Sequence, residues 1–491
     1  MDYSNLKSGT DVRGVASDLG GSAVQLTDTA VYDITAAFLV WLSDKTGIKS
    51  EDLTVAVGHD SRITADRISS HVRAALKDGG ANVLDCGLSS TPAMFMTTVD
   101  LNTDGAVQIT ASHHPFDRNG LKFFTKDGGL DGKDITAILN LAAEGKCIKS
   151  ENGSEKTVDY MTTYSARLRK MICEACGKSE EDKPLQGYHI IVDAGNGAGG
   201  FYATNVLLPL GADITGSQFL EPDGMFPNHI PNPENKQAMD SICDAVKRSH
   251  ADLGLIFDTD VDRAGCVGSD GKEINRNRLI ALASYIALQG NEGGTIVTDS
   301  VTSDGLKTYI NKDLGGVHYR YRRGYKNVID KAQELCAEGI NCPLAIETSG
   351  HAALRENYFL DDGAYLVTKI VIELAKGVNI EKLLQNLELP AEERECRMNI
   401  KAEDFRTYGQ AVIDELTAFA EEREDFTVAD DNREGVRVST PNGWFLLRLS
   451  VHDPVMPMNF ESNKKGGIDE DVSTILPLLK KFDMLDLKDF E

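Results

Sequence analysis

Strand-like apolar runs alternate with helix-like runs along most of this chain, and this alternation constrains its fold more than any other feature. The run at 53–57 precedes a helical pattern at 65–77, and the run at 253–257 follows another at 236–248. Such an order is typical of α/β domains with largely parallel sheets. In these sheets ligands bind beyond the carboxyl ends of the strands. We therefore expect the functional residues in loops that directly follow strands.

The final part of the chain has a different pattern. A helical pattern at 402–422 precedes apolar runs at 435–439 and 444–448, and the Asn442-Gly443 pair between those runs is typical of a hairpin turn. This predicts a smaller α+β domain with an antiparallel sheet. The length of 491 residues suits three or four domains of about 100–150 residues each. We predict three α/β domains and one C-terminal α+β domain, with the boundaries 1–157, 158–272, 273–385 and 386–491.

Composition excludes several classes of partner. The net charge of −25 argues against nucleic acid or an anionic membrane. No apolar run approaches the roughly 20 residues that span a bilayer, and the first residues lack the pattern of a signal peptide. The single C-x-x-C, formed by Cys173 and Cys176, has no second pair to complete a zinc site. We expect a cytoplasmic protein with reduced thiols that acts on small molecules.

Two polar loops after strand-like runs carry the candidate chemistry. Ser112 follows the run at 106–109, and Asp258, Asp260 and Asp262 follow the run at 253–257. Alternate carboxylates suit a hard divalent cation, which would stabilise the charge of a phosphorylated serine. An EF-hand is excluded because it needs a glycine where Arg263 stands. The loops together predict phosphoryl transfer through a phosphoserine; an ordinary turn serine and a solvated acidic turn are the alternatives.

Six ordered motifs extend this interpretation over nearly the whole chain: SGTDVRG from Ser8, VGHDSR from Val57, TASHHP from Thr110, NGLK from Asn119, DTDVDR from Asp258 and ETSGH from Glu347. In these motifs the chain resembles the α-D-phosphohexomutase family, in particular its phosphoglucomutase/phosphomannomutase branch. The resemblance implies a heart-shaped, four-domain α/β architecture around one deep cleft, with three similar α/β domains and a smaller α+β domain. It also implies interconversion of hexose 1-phosphate and hexose 6-phosphate, with Mg²⁺ as cofactor and hexose 1,6-bisphosphate as intermediate and primer.

The resemblance also assigns roles to single residues. Ser112 would carry the phosphoryl group, and Lys122 would act as general base or acid, helped by Arg13 and His351. The metal would be held by Ser112, Asp258, Asp260 and Asp262. The hexose phosphate would be bound by Thr10, His113, Arg263, Gly324, Lys326, Glu347, Ser349, Arg448, Ser450 and His452.

Two loops depart from the family pattern. Thr259 and Val261 replace glycines in the metal loop, and valine disfavours positive φ, which predicts a slightly different backbone there. The phosphate loop from Arg448 to Pro454 keeps its arginine and serine, but Val451 and His452 replace two hydrogen-bonding residues. We therefore expect an altered affinity for the non-reacting phosphate, or an altered pH dependence of that affinity.

Several alternatives stay open. Within the family, the chain could be a phosphoglucosamine mutase. A phosphatase that uses the same serine and metal loops, and a non-catalytic sugar-phosphate-binding protein, are the alternatives from other classes. The sequence also does not decide whether glucose or mannose is the preferred hexose. It does not decide whether the protein is a monomer or a dimer.

Overall fold

A computed structural model describes residues 2–450 and 453–490, which form two compact units. The first unit comprises the residues up to Asn275 together with Ser349–Ala352 and Leu360–Ile380. The second unit comprises Arg276–Thr348, Ala353–Phe359 and the residues from Glu381 onward. Within the described residues, no helix is both long enough and apolar enough to span a membrane.

The larger sheet of the first unit is mixed. Its central strand, Thr54–His59, pairs in parallel with Asn82–Leu88 and Gly105–Ile109. The strand Arg118–Thr125 then pairs antiparallel with Gly105–Ile109. The full order is Lys7–Ser8, Asp11–Val15, Arg118–Thr125, Gly105–Ile109, Thr54–His59, Asn82–Leu88 and Ser154–Thr157, with Gly128–Gly129 beside Arg118–Thr125.

The smaller sheet of the first unit is also mixed. Ile190–Asp193 pairs in parallel with Leu253–Phe257, which pairs antiparallel with Ala264–Gly268 and, beyond it, Glu273–Ile274. The prediction of largely parallel sheets is wrong here and in the larger sheet. Both candidate loops are short reversals between antiparallel neighbours, whereas parallel pairing needs a crossover of about a dozen residues or more.

Helices cover these two sheets and build the core of the first unit. Phe38 of one helix stacks on Phe123 of the larger sheet, with ring centroids 4.5 Å apart and both side chains buried. Thr27 caps that helix by accepting a hydrogen bond from the Ala30 backbone N–H. The α-helices are Asp28–Thr46, Ala65–Asp78, Thr91–Asp100, Gly132–Ala143, Tyr160–Cys176, Lys236–Ser249 and Gly363–Ala375.

The helix expected near 201–210 is irregular. It contains a π-helical segment, Tyr202–Leu207, followed by a 3₁₀-helical turn, Leu208–Leu210. Pro209 has no N–H to donate to the Asn205 carbonyl, which instead accepts a hydrogen bond from the Arg169 guanidinium at 2.7 Å. The missing donor explains why a regular α-helix does not form.

The second unit contains three parallel strands of one sheet and a separate antiparallel sheet. Thr295–Thr298 pairs in parallel with Val317–Arg320 and Leu344–Ile346. The α-helices that accompany this sheet are Asn277–Leu288, Asp304–Thr308 and Tyr325–Ala337. The short strands Ala352–Leu354 and Leu360–Asp361 fall where the chain changes from one unit to the other.

The predicted antiparallel sheet is present near the end of the chain. Val436–Ser439 and Gly443–Leu447 form a hairpin whose turn contains Asn442, as the sequence predicts. The strand order is Glu392–Asn399, Val455–Ser462, Gly443–Leu447, Val436–Ser439 and Thr427–Val428, accompanied by the helices Ile380–Leu383, Phe405–Glu421 and Gly467–Leu479. The α/β fold class is confirmed, and the four predicted domain boundaries stay a prediction.

Phe38→Ala should lower the free energy of unfolding by about 3–5 kcal/mol, because it empties the stacked position in the buried core. Leu19→Ala should change it by less than about 0.5 kcal/mol, since Leu19 is 70% exposed. Urea unfolding followed by circular dichroism measures both values. Equal stability of the two variants would contradict the assignment of the core.

Candidate active site

Ser112 lies in a reactive and strained position. Its backbone has φ +49°, and its N–H donates to the Thr110 hydroxyl at 2.8 Å. Its hydroxyl donates to Asp258 Oδ2 at 3.1 Å and accepts from the Arg263 guanidinium at 3.0 Å. A left-handed conformation at a non-glycine residue costs of order 1–3 kcal/mol, and such strain is found mainly at functional sites.

Arg62 stabilises the serine loop through hydrogen bonds to its backbone carbonyls. Its fully buried guanidinium donates to the carbonyls of His114 at 2.6 Å, Pro115 at 2.7 Å and Arg118 at 2.8 Å, and also to the carbonyl of Ser112. Four acceptors on one short segment fix its path. Arg62 ends the motif VGHDSR, but its role could not be predicted from the sequence because these contacts arise only in the folded chain.

Asp60 balances the charge of Arg62. Its carboxylate lies 3.4 Å from the Arg62 Nε and accepts from the Thr110 hydroxyl at 2.7 Å. Burial raises the pKa of Asp60 to about 6, although the neighbouring guanidinium opposes the shift. The serine loop therefore rests on a buried ion pair.

Three carboxylates next to Ser112 form a compact oxygen cluster. Asp258, Asp260 and Asp262 are buried, and one oxygen of each lies within 4.8 Å of the others. Among the described residues, Asp260 Oδ1 and Asp262 Oδ1 find no hydrogen-bond donor. Burial and the charge of Asp262 raise the pKa of Asp258 well above its usual range. Orphaned oxygens and repelling charges fit a divalent cation at this position.

Two cationic side chains partly balance the cluster. Lys122 Nζ lies 2.5 Å from Asp262 Oδ2 and 3.4 Å from Asp260 Oδ2. Arg263 donates to Asp258 Oδ2 through Nε at 3.1 Å and through NH2 at 3.0 Å. Burial opposes ionisation of Asp262, but the charges of Lys122 and Arg263 hold its pKa well below the usual range.

The backbone of the metal loop takes the conformation that its valine disfavours. Val261 has φ +67° and is fully buried. Its carbonyl accepts a hydrogen bond from the Gly363 N–H at 3.0 Å, and a Cβ on Gly363 would approach the Arg263 carbonyl to 2.7 Å. This close contact with the start of Gly363–Ala375 explains how the loop keeps a left-handed residue without glycine.

His113 lies close to the serine. The Arg263 guanidinium donates to His113 Nδ1 at 2.7 Å, and the Ser112 hydroxyl lies 3.3 Å from the same nitrogen. Burial, together with the charges of Arg263 and Arg13, lowers the pKa of His113 to about 3. Arg13 also pairs with Asp11 at 2.7 Å. His113 is therefore neutral near pH 7.

His351 lies next to Asp262, one of the three carboxylates. The Ser349 hydroxyl lies 2.9 Å from His351 Nδ1, and His351 Nε2 is 3.7 Å from Asp262 Oδ1. Burial lowers the pKa of His351 to about 3. Asp361, which the sequence analysis did not identify, lies 4.0 Å from the same Nε2. Thr10 is half-buried in the turn before Asp11–Val15.

The second unit joins two of the predicted sugar-binding residues. Buried Glu347 accepts a hydrogen bond through Oε1 from the Gly324 N–H at 2.6 Å, and Gly324 has φ +118°. Thr348 donates to Asp299 through its hydroxyl at 2.7 Å, which fixes the residue after Glu347. Lys326 forms an ion pair with Asp330, one helical turn along the chain.

The predicted phosphate loop is described only in part. Arg448 NH1 lies 3.9 Å from Glu434 Oε1, and among the described residues its Nε finds no hydrogen-bond acceptor. Ser450 Oγ accepts from the Asp453 N–H at 3.3 Å. His452 lies outside the described residues, so its predicted role stays a prediction.

Arg62→Met should lower the free energy of unfolding by about 3–5 kcal/mol, because it removes the positive charge that pairs with buried Asp60 and leaves the loop carbonyls without their guanidinium donor. Arg167→Met is the matched control and should cost about 0–1 kcal/mol, since Arg167 forms a half-exposed pair with Asp100. Urea unfolding measures both. A loss below 1 kcal/mol for Arg62→Met would show that the guanidinium does not support the loop.

Family models match most of the chain in three consecutive stretches. They describe domains I, II and III of phosphoglucomutase/phosphomannomutase, each of alpha/beta/alpha type, and match residues 6–146, 163–271 and 275–389.

Similar proteins extend the match to nearly the full length. A phosphoglucomutase of Neisseria gonorrhoeae is 30% identical over 467 residues, which cover 94% of this chain and 93% of that protein. A phosphomannomutase/phosphoglucomutase of Pseudomonas syringae is 29% identical and covers 96% of this chain and 94% of that protein. A solved structure of a phosphoglucomutase/phosphomannomutase family protein from Burkholderia thailandensis has a TM-score of 0.81 at 25% identity and covers 98% of both chains. The resemblance seen in the motifs is confirmed: the chain belongs to the phosphoglucomutase/phosphomannomutase family and is a phosphohexomutase, an isomerase that transfers phosphoryl groups.

Proposed function

We propose that this phosphohexomutase interconverts hexose 1-phosphate and hexose 6-phosphate through a phosphoryl group carried by Ser112. The observation that carries the proposal is the position of the Ser112 hydroxyl, which lies about equally close to the Arg263 guanidinium and the Asp258 carboxylate. A hydroxyl between a cation and a carboxylate cluster suits a group that accepts and releases phosphoryl charge. The names of the relatives support glucose and mannose phosphates as substrates.

The reaction consists of two transfers in opposite directions. In the first, the bond between phosphorus and Ser112 Oγ breaks and a bond to the free sugar hydroxyl forms, which gives hexose 1,6-bisphosphate. In the second, the other phosphoryl group leaves the sugar and forms a new bond to Ser112 Oγ. Each transfer moves one proton from the attacking hydroxyl to the departing oxygen, so atoms and charge balance. Hexose 1,6-bisphosphate supplied from outside phosphorylates the resting enzyme in the same way.

Neighbouring side chains handle the proton and the charge. His351 has a ring nitrogen near the cluster, and its lowered pKa keeps the ring neutral at pH 7, so the ring can accept a hydrogen bond from a reacting hydroxyl and assist Lys122. Lys122 lies between two carboxylates, which stabilise the charged ammonium, and it enters the reaction as a proton donor. Arg13 and Arg263 offer forked donors to the transferring oxygens.

The carboxylate cluster is the proposed site of Mg²⁺. Asp258, Asp260 and Asp262 would hold the ion together with an oxygen on Ser112, and a donor set made only of oxygens favours a hard cation. When bound, Mg²⁺ would supply positive charge that stabilises the phosphoserine. The cluster offers no sulfur ligand, which argues against a soft metal.

The sugar is proposed to be bound by hydroxyl-reading and phosphate-reading residues. Glu347 and Ser349 would bind the 3- and 4-hydroxyls, and this grip tolerates both glucose and mannose because they differ only at carbon 2. Gly324 would bring its backbone close to the sugar. The residues proposed to bind the non-reacting phosphate and to make the remaining contacts are Arg448, Ser450, His452, Lys326, Thr10 and His113. The reaction is proposed to take place in the cytoplasm.

Ser112→Ala should lower the conversion of glucose 1-phosphate and mannose 1-phosphate by at least about 10³-fold, because the carrier of the phosphoryl group is lost. A coupled assay with and without hexose 1,6-bisphosphate measures the rates. Ser70→Ala is the control, since the Ser70 hydroxyl is exposed and its hydrogen-bond partners are its near neighbours, the Arg67 carbonyl and the His71 ring. Retained activity in Ser112→Ala would contradict the proposal, and steady release of free phosphate without primer would favour a phosphatase.

Removal of divalent cations with EDTA should abolish turnover, and Mg²⁺ should restore it. Asp260→Asn should lower the apparent affinity for Mg²⁺ by about 10–100-fold, because it removes one carboxylate of the cluster. Asp244→Asn changes an exposed carboxylate and is the matched control. Titration of activity against Mg²⁺ measures the affinity, and full activity in EDTA would contradict a metal at this site.

A further inference from the structure

A buried histidine of the first unit faces hydrogen-bond acceptors on both sides of its ring. His229 is 5% exposed, and its Nε2 lies 3.0 Å from both carboxylate oxygens of Asp193. Its Nδ1 lies 3.0 Å from the Ile230 carbonyl. Neutral imidazole carries one N–H, whereas two acceptors require two. The geometry therefore calls for a doubly protonated, charged ring.

Asp193 is the carboxylate that meets one side of that ring. It ends the strand Ile190–Asp193, is fully buried, and accepts from the Gly195 N–H at 2.9 Å and from the Gln218 amide at 2.7 Å. Both of its oxygens therefore have hydrogen-bond partners besides His229. His229 and Asp193 thus form a buried, hydrogen-bonded ion pair.

The remaining faces of the His229 ring are uncharged. Phe219 meets the ring edge-on, with centroids 5.3 Å apart. A Cβ on Gly195 would lie 3.2 Å from His229 Cε1 and 2.8 Å from Pro231 Cβ, so the backbone there is in close contact. Among the described residues, Asp193 is the charged group that acts on the ring, and although burial opposes the charge, this carboxylate raises the pKa of His229.

The ion pair fixes the start of a segment, residues 229–235, that leads to the active site. Asn232 Oδ1 accepts a hydrogen bond from Arg263 NH1 at 3.2 Å. The Pro233 carbonyl accepts from the Asn275 amide at 2.8 Å, which holds the other end of the segment. Arg263 NH2 is thereby directed to the Ser112 hydroxyl at 3.0 Å.

We propose that the His229–Asp193 ion pair is a positioning device, which holds segment 229–235 so that Asn232 orients Arg263 on the Ser112 hydroxyl. The inference rests on the proposed phosphoryl transfer at Ser112. A buried ion pair is a weak source of stability, because desolvation offsets most of the attraction. Its effect is therefore on the orientation of Arg263, and His229 itself does not touch the reacting atoms.

The first test is a double-mutant cycle. His229→Gln should lower kcat/KM by about 10–100-fold, mostly in kcat, because it lets the guanidinium shift from its productive orientation. In an Arg263→Lys background the same substitution should lower kcat/KM by less than about a further twofold, since the effects of substitutions at coupled residues are not additive. His189→Gln should leave kcat/KM unchanged, because this half-exposed ring forms its hydrogen bond with the Thr215 carbonyl, away from Arg263 and Ser112 in the contacts described.

A second variant covers the case that His229→Gln does not fold. Asn232→Ala removes the acceptor of Arg263 NH1 and leaves the ion pair intact. It should lower kcat by a similar factor and should also be non-additive with Arg263→Lys. Equal losses in the wild-type and Arg263→Lys backgrounds, for either variant, would overturn the inference.

The third measurement is the titration of His229 by NMR. Its pKa in the wild type should lie above the ordinary value of about 6.5, and Asp193→Asn should lower it. A raised folded pKa means that the pair is complete below about 6.5 and is lost as the pH rises through the folded pKa. The alkaline loss of kcat should therefore begin at lower pH in Asp193→Asn.

The outcomes separate this inference from the proposed function. A His229 pKa at or below about 6.5 in the wild type, or wild-type kcat in His229→Gln, overturns the positioning role while Ser112 chemistry stands. Retained activity in Ser112→Ala overturns the proposed function, and the NMR titration then still decides whether the ion pair exists. A raised pKa together with non-additive kinetics supports both.

Discussion

Burial of three carboxylates in one short loop is the constraint on which the rest of the site depends. Each buried charge costs several kcal/mol of desolvation unless it is paired. Lys122 and Arg263 supply two positive charges against the three negative ones of Asp258, Asp260 and Asp262. A phosphoryl group on the neighbouring serine would add a charge of about −1.5 to −2. Under the proposed mechanism, the phosphorylated cluster would therefore need a further cation, which would tie metal binding to phosphoserine formation.

Strand register, rather than loop flexibility, fixes the position of the groups around this cluster. Lys122, on strand Arg118–Thr125, lies opposite Gln108 of the strand that leads to the serine. Gly120 of the same strand lies opposite Arg13 of the strand on its other side. A shift of one residue would move Lys122 to the other face of the sheet. A Cβ on Gly120 would approach the Val12 carbonyl to 2.4 Å, so glycine permits the close approach of these strands. The antiparallel reversal that the sequence did not predict is what brings Lys122 back beside the serine loop.

The sequence predicted what is encoded locally and missed what depends on distant contacts. Ser112 and Asp258 were found because each stands in a short motif directly after an apolar run. Arg62 and His229 were not, since the loop carbonyls bound by Arg62 and the carboxylate bound by His229 lie tens of residues away along the chain, and the residue types alone do not reveal a buried ion pair. The irregular helix near Pro209 was missed because one absent N–H outweighs a good helical pattern. The direction of the strands that follow the serine and aspartate loops was wrong, because alternation of apolar runs does not report whether a connection crosses over or turns back.

Arg263 explains why these separate features act together. Its guanidinium has donors in a fixed planar fork: Nε and NH2 both donate to Asp258, NH1 donates to Asn232, and NH2 also donates to the Ser112 hydroxyl and to His113. A lysine at this position has a single charged centre on a flexible stem, so it cannot hold three partners in one plane. The carboxylate cluster, the serine and segment 229–235 are thus joined by one side chain. Because the fork is rigid, a change at any one arm rotates the other two, so an ion pair that touches neither metal ligand nor serine can still alter the chemistry.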